Sequence, residues 1–247
     1  MAIDKVVSAS ITDSAVTDAK LSFNANQYRN IIINGDISIA QRATSASSLT
    51  SSAYNTVDRW HLALSSLGTW TQSQSSDVPT GQGFAKSMKL DCTTADASPS
   101  SGDAMILQTR IEGQMLQYLK KGTSSAESLT LSFWVKGNAS VNYVIEFNNQ
   151  DTSPRRSRSK LISVTSSWSK VEITLSGDTE SGKVFNNDTG SAFFFGIWLM
   201  AGSTFTGGTL SQDAWQDMVN NERATGTANF FSSTSNELYI TGMQLEV

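Results

Sequence analysis

The sequence predicts an all-β sandwich, and three observations support this fold class. Residues 128–136 alternate strictly between apolar and mostly polar side chains, as the two faces of a half-buried strand require. Comparable runs recur along the chain and are separated by clusters of Gly, Pro and Ser, a cadence typical of a sandwich. Serine and threonine are abundant while only 16% of residues are charged, which suits many exposed strand faces and turns.

The stretch 128–136 is expected to be a central strand with one unusual position. Its apolar face consists of Leu129, Leu131, Phe133 and Val135. The large indole of Trp134 stands on the otherwise polar face. That face is therefore expected either to be covered by another element or to be offered to a ligand.

The remaining elements follow from the same patterns. Strands are expected at residues 30–36, 56–64, 69–75, 84–91, 103–111, 141–149, 160–164, 170–175, 192–200 and 237–247. Residues 193–199 are apolar on both faces, which predicts a central strand covered on each side. Gly35 is expected to form a turn or bulge with positive φ after the first strand. Short helices are predicted at 114–121, ending at Gly122, and at 213–219, and a loop is predicted at 43–53.

Length and composition limit the function classes. A chain of 247 residues can bury a sizeable core, and we expect residues 30–247 to form one domain. The net charge of -4 argues against nucleic-acid binding, which depends on Lys and Arg neutralising phosphates. With one cysteine, Cys92, and one histidine, His61, neither an intrachain disulfide nor a conventional zinc site is expected. No apolar run approaches the ~18 residues of a membrane span, so a soluble protein without membrane insertion is expected.

Residues 1–29 differ from the rest of the chain. Ile11, Val16 and Leu21 are spaced five apart, which fits neither a helix stripe nor one strand face. We interpret this segment as an extended N-terminal arm that docks on another chain. The alternative is a floppy terminus, which is the general expectation for terminal residues.

Several motifs of residues 30–247 carry a resemblance to a known family. The motifs are NIIINGD at 30–36, AQR at 40–42, TVDRW at 56–60, QTRIEG at 108–113, LTLSFWVK at 129–136 and LYITGMQLE at 238–246. In this order they resemble a domain that recurs in phage tail-fibre and other virion-appendage proteins. The chain also resembles jelly-roll carbohydrate-binding modules, which carry a similar Asn-Gly-Asp run in the first strand and a similar ending in the last.

This resemblance implies a non-catalytic jelly-roll β-sandwich presented on a virion as a homotrimer. The arm resembles the virion-attachment leader of cyanophage and marine-phage fibres, so Ile11, Val16 and Leu21 are expected to contact other virion proteins. Carbohydrate-binding jelly rolls often hold calcium between the first and last strands. Here Ile37 and Ser38 stand where an aromatic residue and a Glu are expected, and residues 241–242 replace an acidic pair, so neither metal nor cofactor is expected.

Enzymatic motifs are weak. Residues 177–184 have the spacing of a phosphate-binding loop up to Lys183, but Val184 stands where Ser or Thr would ligate magnesium, so a polar loop is expected. His61 is the only possible imidazole base and is interpreted as a hydrogen-bonded strand residue. Carboxylates that could in principle form a glycosidase pair are Glu112, Glu146, Asp151, Asp178 and Glu180. Asp213 and Asp217 are interpreted as solvated residues.

The one basic cluster lies at residues 155–160 and contains Arg155, Arg156 and Arg158. It is either a solvated loop or a site for phosphate, sulfate or carboxylate groups of a cell-surface glycan, whose geometry arginine forks match. If Trp134 or Trp198 lies nearby, an aromatic platform beside a cationic rim would form a sugar site. The alternative for each tryptophan is packing in the core.

Taken together, these observations predict a phage virion structural protein made in the host cytoplasm, a tail fibre or receptor-binding appendage that adheres to host surface polysaccharide and is not an enzyme. Two alternatives belong to other classes. One is a capsid decoration or tail-attachment protein without a ligand. The other is a polysaccharide-degrading enzyme, which a crevice with two facing carboxylates would favour.

Overall fold

The computed structural model describes residues 30–65 and 67–247 of the chain, and almost all of its regular structure is β-strand. In chain order the strands are β1 Ser45–Leu49, β2 His61–Ser65, β3 Thr69–Ser75, β4 Ser87–Thr94, β5 Ala104–Glu112, β6 Leu129–Gly137, β7 Val141–Asn149, β8 Arg156–Val164, β9 Ser169–Leu175, β10 Ser191–Ala201, β11 Gln216–Asp217 and β12 Glu237–Glu246. The predicted arm, with Ile11, Val16 and Leu21, lies outside the described residues.

The strands form two six-stranded antiparallel sheets that pack face to face. The first sheet has the order β1-β3-β4-β12-β6-β9, and the second has the order β11-β8-β7-β10-β5-β2. Among the described strands, only the connections from β3 to β4, from β7 to β8 and from β10 to β11 stay within one sheet, and every other connection between successive strands crosses to the opposite sheet. The last strand, β12, lies between β4 and β6. This topology is a jelly-roll β-sandwich, which confirms the predicted fold class.

The core lies between the two sheets and follows the predicted alternation. In β6, the side chains of Leu131, Phe133 and Val135 are buried in the core, while Trp134 stands on the outer face and is partly exposed. Phe147 of β7 and Phe195 of β10 meet them from the second sheet, with ring centroids of these two phenylalanines 5.6 Å apart. The inner faces thus form one continuous apolar cluster.

Strand β10 is central and covered on both sides, as its sequence predicts. Residues 202–228, which we call the covering segment, lie across the outer face of the second sheet. There Phe205, Leu210 and Ala224 pack on Val144 and Trp198 in a second, smaller apolar cluster. The covering segment contains the only α-helix of the described residues, α1 at Ser203–Thr206. Because of this cover, much of that sheet face is closed to solvent.

The two predicted helices turn out differently. Residues 114–121 form two successive 3-10 turns, Gly113–Met115 and Gln117–Leu119, and the chain leaves them through Gly122 with the expected positive φ of 79°. The helix predicted at 213–219 is wrong. Its centre is β11, which pairs with the edge strand β8, and the Arg156 guanidinium binds the Trp215 carbonyl oxygen 2.9 Å away. Backbone partners on β8 therefore outweigh a weak helical pattern.

The strand predicted at 30–36 is also wrong, because these residues form turns against β12. The Asn30 side chain donates to the Met243 carbonyl (2.9 Å), and the Gly35 carbonyl accepts the Met243 amide (2.9 Å). Positive φ occurs at Asn34 (58°) and Ile37 (62°) rather than at Gly35. Gly35 is instead required by contact, since a Cβ there would lie 1.9 Å from the Met243 carbonyl oxygen.

Smaller differences occur at the sheet edges. The predicted loop 43–53 contains the short edge strand β1, which is hydroxyl-rich and carries little apolar alternation. The strand predicted at 56–64 begins only at His61, because residues 56–59 form a turn in which Arg59 has a φ of 72°.

Within the described part of the chain, no helix is long and apolar enough to cross a membrane.

Candidate functional site

The predicted basic cluster is divided between surface and interior. Arg155 is exposed, but Arg156 is buried and its guanidinium binds both carboxylate oxygens of Asp178, at 3.0 and 3.1 Å. The ammonium of Lys121 lies 2.5 Å from the same carboxylate. Arg158 is buried as well and donates to the Ser176 hydroxyl (3.0 Å). These two arginines support the fold from within, so we do not include them in the site.

The cations around Asp178 keep its carboxyl group ionised. Burial by itself would raise the pKa of Asp178, but hydrogen bonds from Arg156 and Lys121 outweigh it and hold the pKa below the ordinary value. Burial also lowers the pKa of Lys121. The cluster is a buried ion network, in which each charge depends on its partners.

Trp198 is likewise an internal residue. It is 1% exposed, and its indole N–H donates to Glu146 (2.9 Å), whose carboxylate is fully buried. The guanidinium of Arg223 in the covering segment binds this carboxylate at 2.8 and 2.9 Å and lies 4.9 Å from the centroid of the Trp198 ring. The ring and the ion pair fasten the covering segment to the sheet, and the indole is not available to a ligand.

Trp134, in contrast, is partly exposed. On the outer face of the first sheet it is paired in register with Thr241 of β12 and Lys170 of β9. We define the aromatic platform as Trp134, Trp168, Tyr239, Lys89 and Lys136. Their positions follow from strand adjacency, because β4, β12 and β6 are neighbours and their alternate residues point outward together.

Rings and ammonium groups alternate across the platform. The Lys136 ammonium lies 4.5 Å from the centroid of the Tyr239 ring and 5.6 Å from that of Trp168, and the Lys89 ammonium lies 5.5 Å from the Tyr239 centroid. The Trp168 and Tyr239 rings meet edge to face, with centroids 6.3 Å apart. Such contacts favour one arrangement of long side chains over many.

Two carboxylates hold the polar ends of the platform residues. Glu237 accepts from the Lys89 ammonium (2.6 Å) and from the Tyr239 hydroxyl (2.9 Å). Asp77 accepts from the Lys136 ammonium and from the Trp168 indole N–H. The hydrogen bond from Lys136 is the main reason that the pKa of Asp77 is lowered. For Glu237, burial would raise the pKa, but the bonds from Lys89 and Tyr239 lower it overall.

The partly exposed rings of Trp134 and Trp168 therefore lie on the same sheet face as fixed hydrogen-bonding groups of both signs, while the Tyr239 ring is buried beneath the two lysines. Trp134, Lys136, Lys89 and Tyr239 are signalled in the sequence as outward positions of alternating strands. Asp77 and Trp168 are not, because both lie in loops whose positions depend on the folded sheet.

The other candidate groups occupy separate places. The His61 Nδ1 accepts a hydrogen bond from the Gln108 side-chain amide (2.8 Å), and the pKa of His61 is lowered by burial and by the charge of Arg110. The carboxylates of Glu146 and Asp178 are held by Arg223 and Arg156. The Glu112 carboxylate accepts a hydrogen bond from the Gln114 side chain, and the Asp151 carboxylate accepts one from the Asn186 backbone amide. Glu180 is exposed. Asp213 forms an ion pair with Lys160, and Asp217 forms one with Arg156. Residues 177–184 form a loop with a turn.

A metal site would need several ligating side chains around one point. Among the residues that the structure describes, no three His, Cys, Asp or Glu side chains come together in this way. The Thr241 hydroxyl donates to the Lys86 carbonyl oxygen (2.6 Å) and lies 3.4 Å from that of Asp36.

Comparison with known proteins finds similarity only among solved structures. No protein family and no curated protein sequence matches the chain. Among solved structures, a tailspike domain of bacteriophage CBA120, described as enzymatically active, is similar over 89% of this chain and 21% of its own, with 11% identity and a TM-score of 0.43. The chain thus spans about a fifth of that tailspike chain.

Two carbohydrate-binding modules are also similar. A module of family 4 matches over 87% of this chain and 98% of its own, with 10% identity and a TM-score of 0.40. A family 11 module from Clostridium thermocellum, solved with a mixed-linked tetrasaccharide, matches over 83% and 96%, with 12% identity and a TM-score of 0.39. The jelly-roll assignment of this chain rests on its own sheet topology.

Proposed function

We propose that this protein is a non-catalytic virion appendage of a phage, a tail fibre or receptor-binding protein, that adheres to host surface polysaccharide through the aromatic platform. The observation that carries this proposal is that Trp134 and Trp168 stand partly exposed on the outer face of the first sheet, where Lys89 and Lys136 are held against the buried ring of Tyr239. The outer face of the opposite sheet is largely closed by the covering segment.

The chemistry of a sugar fits this surface. A pyranose ring has an apolar C–H face that packs on an aromatic ring, and its hydroxyl groups both donate and accept hydrogen bonds. On the platform, Lys89 and Lys136 can donate, while Glu237 and Asp77 can accept. Their mutual bonds restrict these side chains before a ligand arrives, which reduces the entropic cost of binding.

The placement on a virion rests on the sequence resemblance and on the regular spacing in residues 1–29. In this proposal the arm anchors the protein to other virion proteins and the sandwich forms homotrimers. Each site would bind weakly, and several sites on one particle would act together, since linked binding events can raise avidity by about 10²–10⁴.

The test is direct binding of purified host surface polysaccharide by calorimetry, comparing Trp134→Ala with the parent protein. We expect the affinity to fall about tenfold or more, because a central aromatic contact is removed. Val219→Ala, which shortens an exposed apolar residue outside the platform, is the control and should bind normally. Absence of binding in the parent, or equal binding by Trp134→Ala, would reject the proposed site.

A separate assay addresses catalysis. Incubation of the polysaccharide with the protein should release no reducing ends, whereas release that stops on replacing one carboxylate would support the polysaccharide-degrading alternative. Labelling the protein on intact particles and imaging them tests the virion placement. A label confined to the capsid surface, together with no glycan binding, would favour the decoration protein.

A further inference from the structure

A second open surface lies on the opposite sheet, at its β2 edge. It is a cleft with a volume of about 460 Å³, and three of the residues that line it are arginines. We define this arginine pocket by Arg42, Arg59, Arg110, Tyr54 and Ser191. It is on a different sheet from the aromatic platform and shares none of its residues.

Local structure brings the arginines together. Arg110 is an exposed, outward residue of β5, and it lies just beyond the position where β2 begins, since His61 pairs with Gln108. Arg59 occupies the turn that leads into β2 and has a φ of 72°, in the left-handed region that residues other than glycine rarely adopt. A backbone held in such a conformation at a surface cleft is a feature that often accompanies function.

The pocket has more positive than negative charge, and part of that charge has no partner. Arg42 pairs with Asp58 at 3.1 Å. Neither Arg59 nor Arg110 forms an ion pair with any residue in the described part of the chain. With Glu112 as the other acidic lining residue, three guanidinium groups stand against two carboxylates. The charge of Arg110 also contributes to lowering the pKa of the nearby His61.

One further group at the pocket favours a sugar ligand. Tyr54 is 41% exposed, and its ring is fixed between the Arg42 guanidinium, 5.6 Å from the centroid, and the edge of His61, 4.8 Å between centroids. It offers an aromatic face beside the cations.

We propose that the arginine pocket binds an acidic saccharide, with Arg59 and Arg110 clasping a carboxylate or sulfate group and Tyr54 packing against the sugar ring. Guanidinium forks bind both oxyanions with paired charge-assisted hydrogen bonds. The volume suits one or two sugar rings. The saccharide identity rests on the proposed adhesive function, but the site is separate from the platform, so the two can fail independently.

The test is calorimetric titration with four probes: oligogalacturonate, a sulfated dextran oligomer, an uncharged dextran oligomer of matched length, and inorganic sulfate. We expect at least one acidic oligosaccharide to bind and the uncharged oligomer to bind much more weakly at this site. Arg110→Gln should weaken that binding about tenfold or more, because the charge-assisted hydrogen bonds of one guanidinium fork are lost. Arg110→Lys should retain part of it, as a single ammonium replaces a fork.

Arg155→Gln is the matched control, since it removes the same charge from an exposed arginine outside the pocket. Trp134→Ala should leave the binding of acidic probes to the arginine pocket intact. If Trp134→Ala loses binding of host polysaccharide but keeps binding of the acidic probes, the two sites act separately, as proposed. Equal weakening by Arg155→Gln and Arg110→Gln would reduce the effect to general electrostatics and overturn the proposal. Inorganic sulfate binding as tightly as the best oligosaccharide would overturn the saccharide assignment.

Discussion

Single buried charges show most directly how side chains hold this fold together. Glu146 is 0% exposed, and its carboxylate is held by the Arg223 guanidinium and the Trp198 indole. Asp178 depends in the same way on Arg156 and Lys121. Removing one member of such a pair leaves a charge that neither water nor protein stabilises.

The first expectation concerns Arg223. Replacing it by Met should lower the free energy of unfolding by about 3 kcal/mol, because breaking a buried ion pair leaves Glu146 uncompensated. Urea denaturation measures the change. Arg155→Met, at an exposed position, should change stability by less than about 0.5 kcal/mol. A loss below about 1 kcal/mol for Arg223→Met would show that the ion pair is not what fastens the covering segment.

The second expectation concerns acid stability. The pKa of Asp178 is lower in the folded than in the unfolded chain, where an aspartate titrates at about 4. Its contribution is therefore fully present above that value and is lost as the pH falls through the folded pKa. Between about pH 5 and pH 2, the parent should lose stability more steeply than Asp178→Asn.

If Asp178→Asn does not fold, carboxyl-carbon NMR of the parent protein supplies the same information. The Asp178 resonance should titrate below the ordinary range of an aspartate carboxyl group. Titration at or above the ordinary value would mean that Arg156 and Lys121 do not stabilise the ionised carboxylate.

The third expectation concerns a glycine. Gly35→Ala should cost about 2 kcal/mol or more, since its Cβ would meet the carbonyl oxygen of Met243 in the backbone of β12. Gly102→Ala is the control, because a Cβ there meets nothing within 4 Å and its φ is not positive. The melting temperatures of the two variants measure the difference. Equal melting temperatures would show that the backbone of residues 30–36 shifts at little cost to make room for the Cβ.

Among the elements, strand position determines how firmly each is held. β10 lies between β5 and β7, and both of its faces are covered. β1 is a short edge strand with few buried residues. Amide hydrogen exchange followed by mass spectrometry should therefore find residues 193–200 among the slowest and residues 45–49 among the fastest of the strand amides. Similar rates for the two segments would contradict this difference.

The same elements show what the sequence could reveal. β3 and β7 begin and end at the predicted residues, and β6 has the predicted inner face, because alternation records burial directly. The predictions for residues 30–36 and 213–219 are wrong because the conformation of these segments depends on β12 and β8, which are distant in sequence. A local pattern contains no information about such partners.

The residues of the candidate site were likewise only partly predictable from the sequence. The outward position of Trp134 could be predicted, whereas the burial of Arg156, Arg158 and Trp198 could not, because their polar partners come from other parts of the chain. The arginine pocket is not predictable for a related reason. Its arginines at positions 42, 59 and 110 are isolated in the sequence and meet only through the sheet and its turns.

At the scale of the whole molecule, the proposed trimer and the proposed anchoring arm can be tested by molecular mass and by virion incorporation. Light scattering of the full chain at micromolar concentration should give about three times the chain mass of 26.6 kDa. A variant lacking residues 1–29 should fail to enter virions while still binding polysaccharide. Monomeric mass would remove the trimer, and virion incorporation of the shortened chain at the parental level would remove the anchoring role.

The position of β12 has a consequence for how the protein is made. This strand fills the gap between β4 and β6, although it is synthesised long after both. While the ribosome is still translating the intervening residues, the first sheet is split and each half offers an unpaired edge to other nascent chains. The first sheet cannot close until residues 237–246 have left the exit tunnel, so productive folding should benefit from chaperones that shield the open halves.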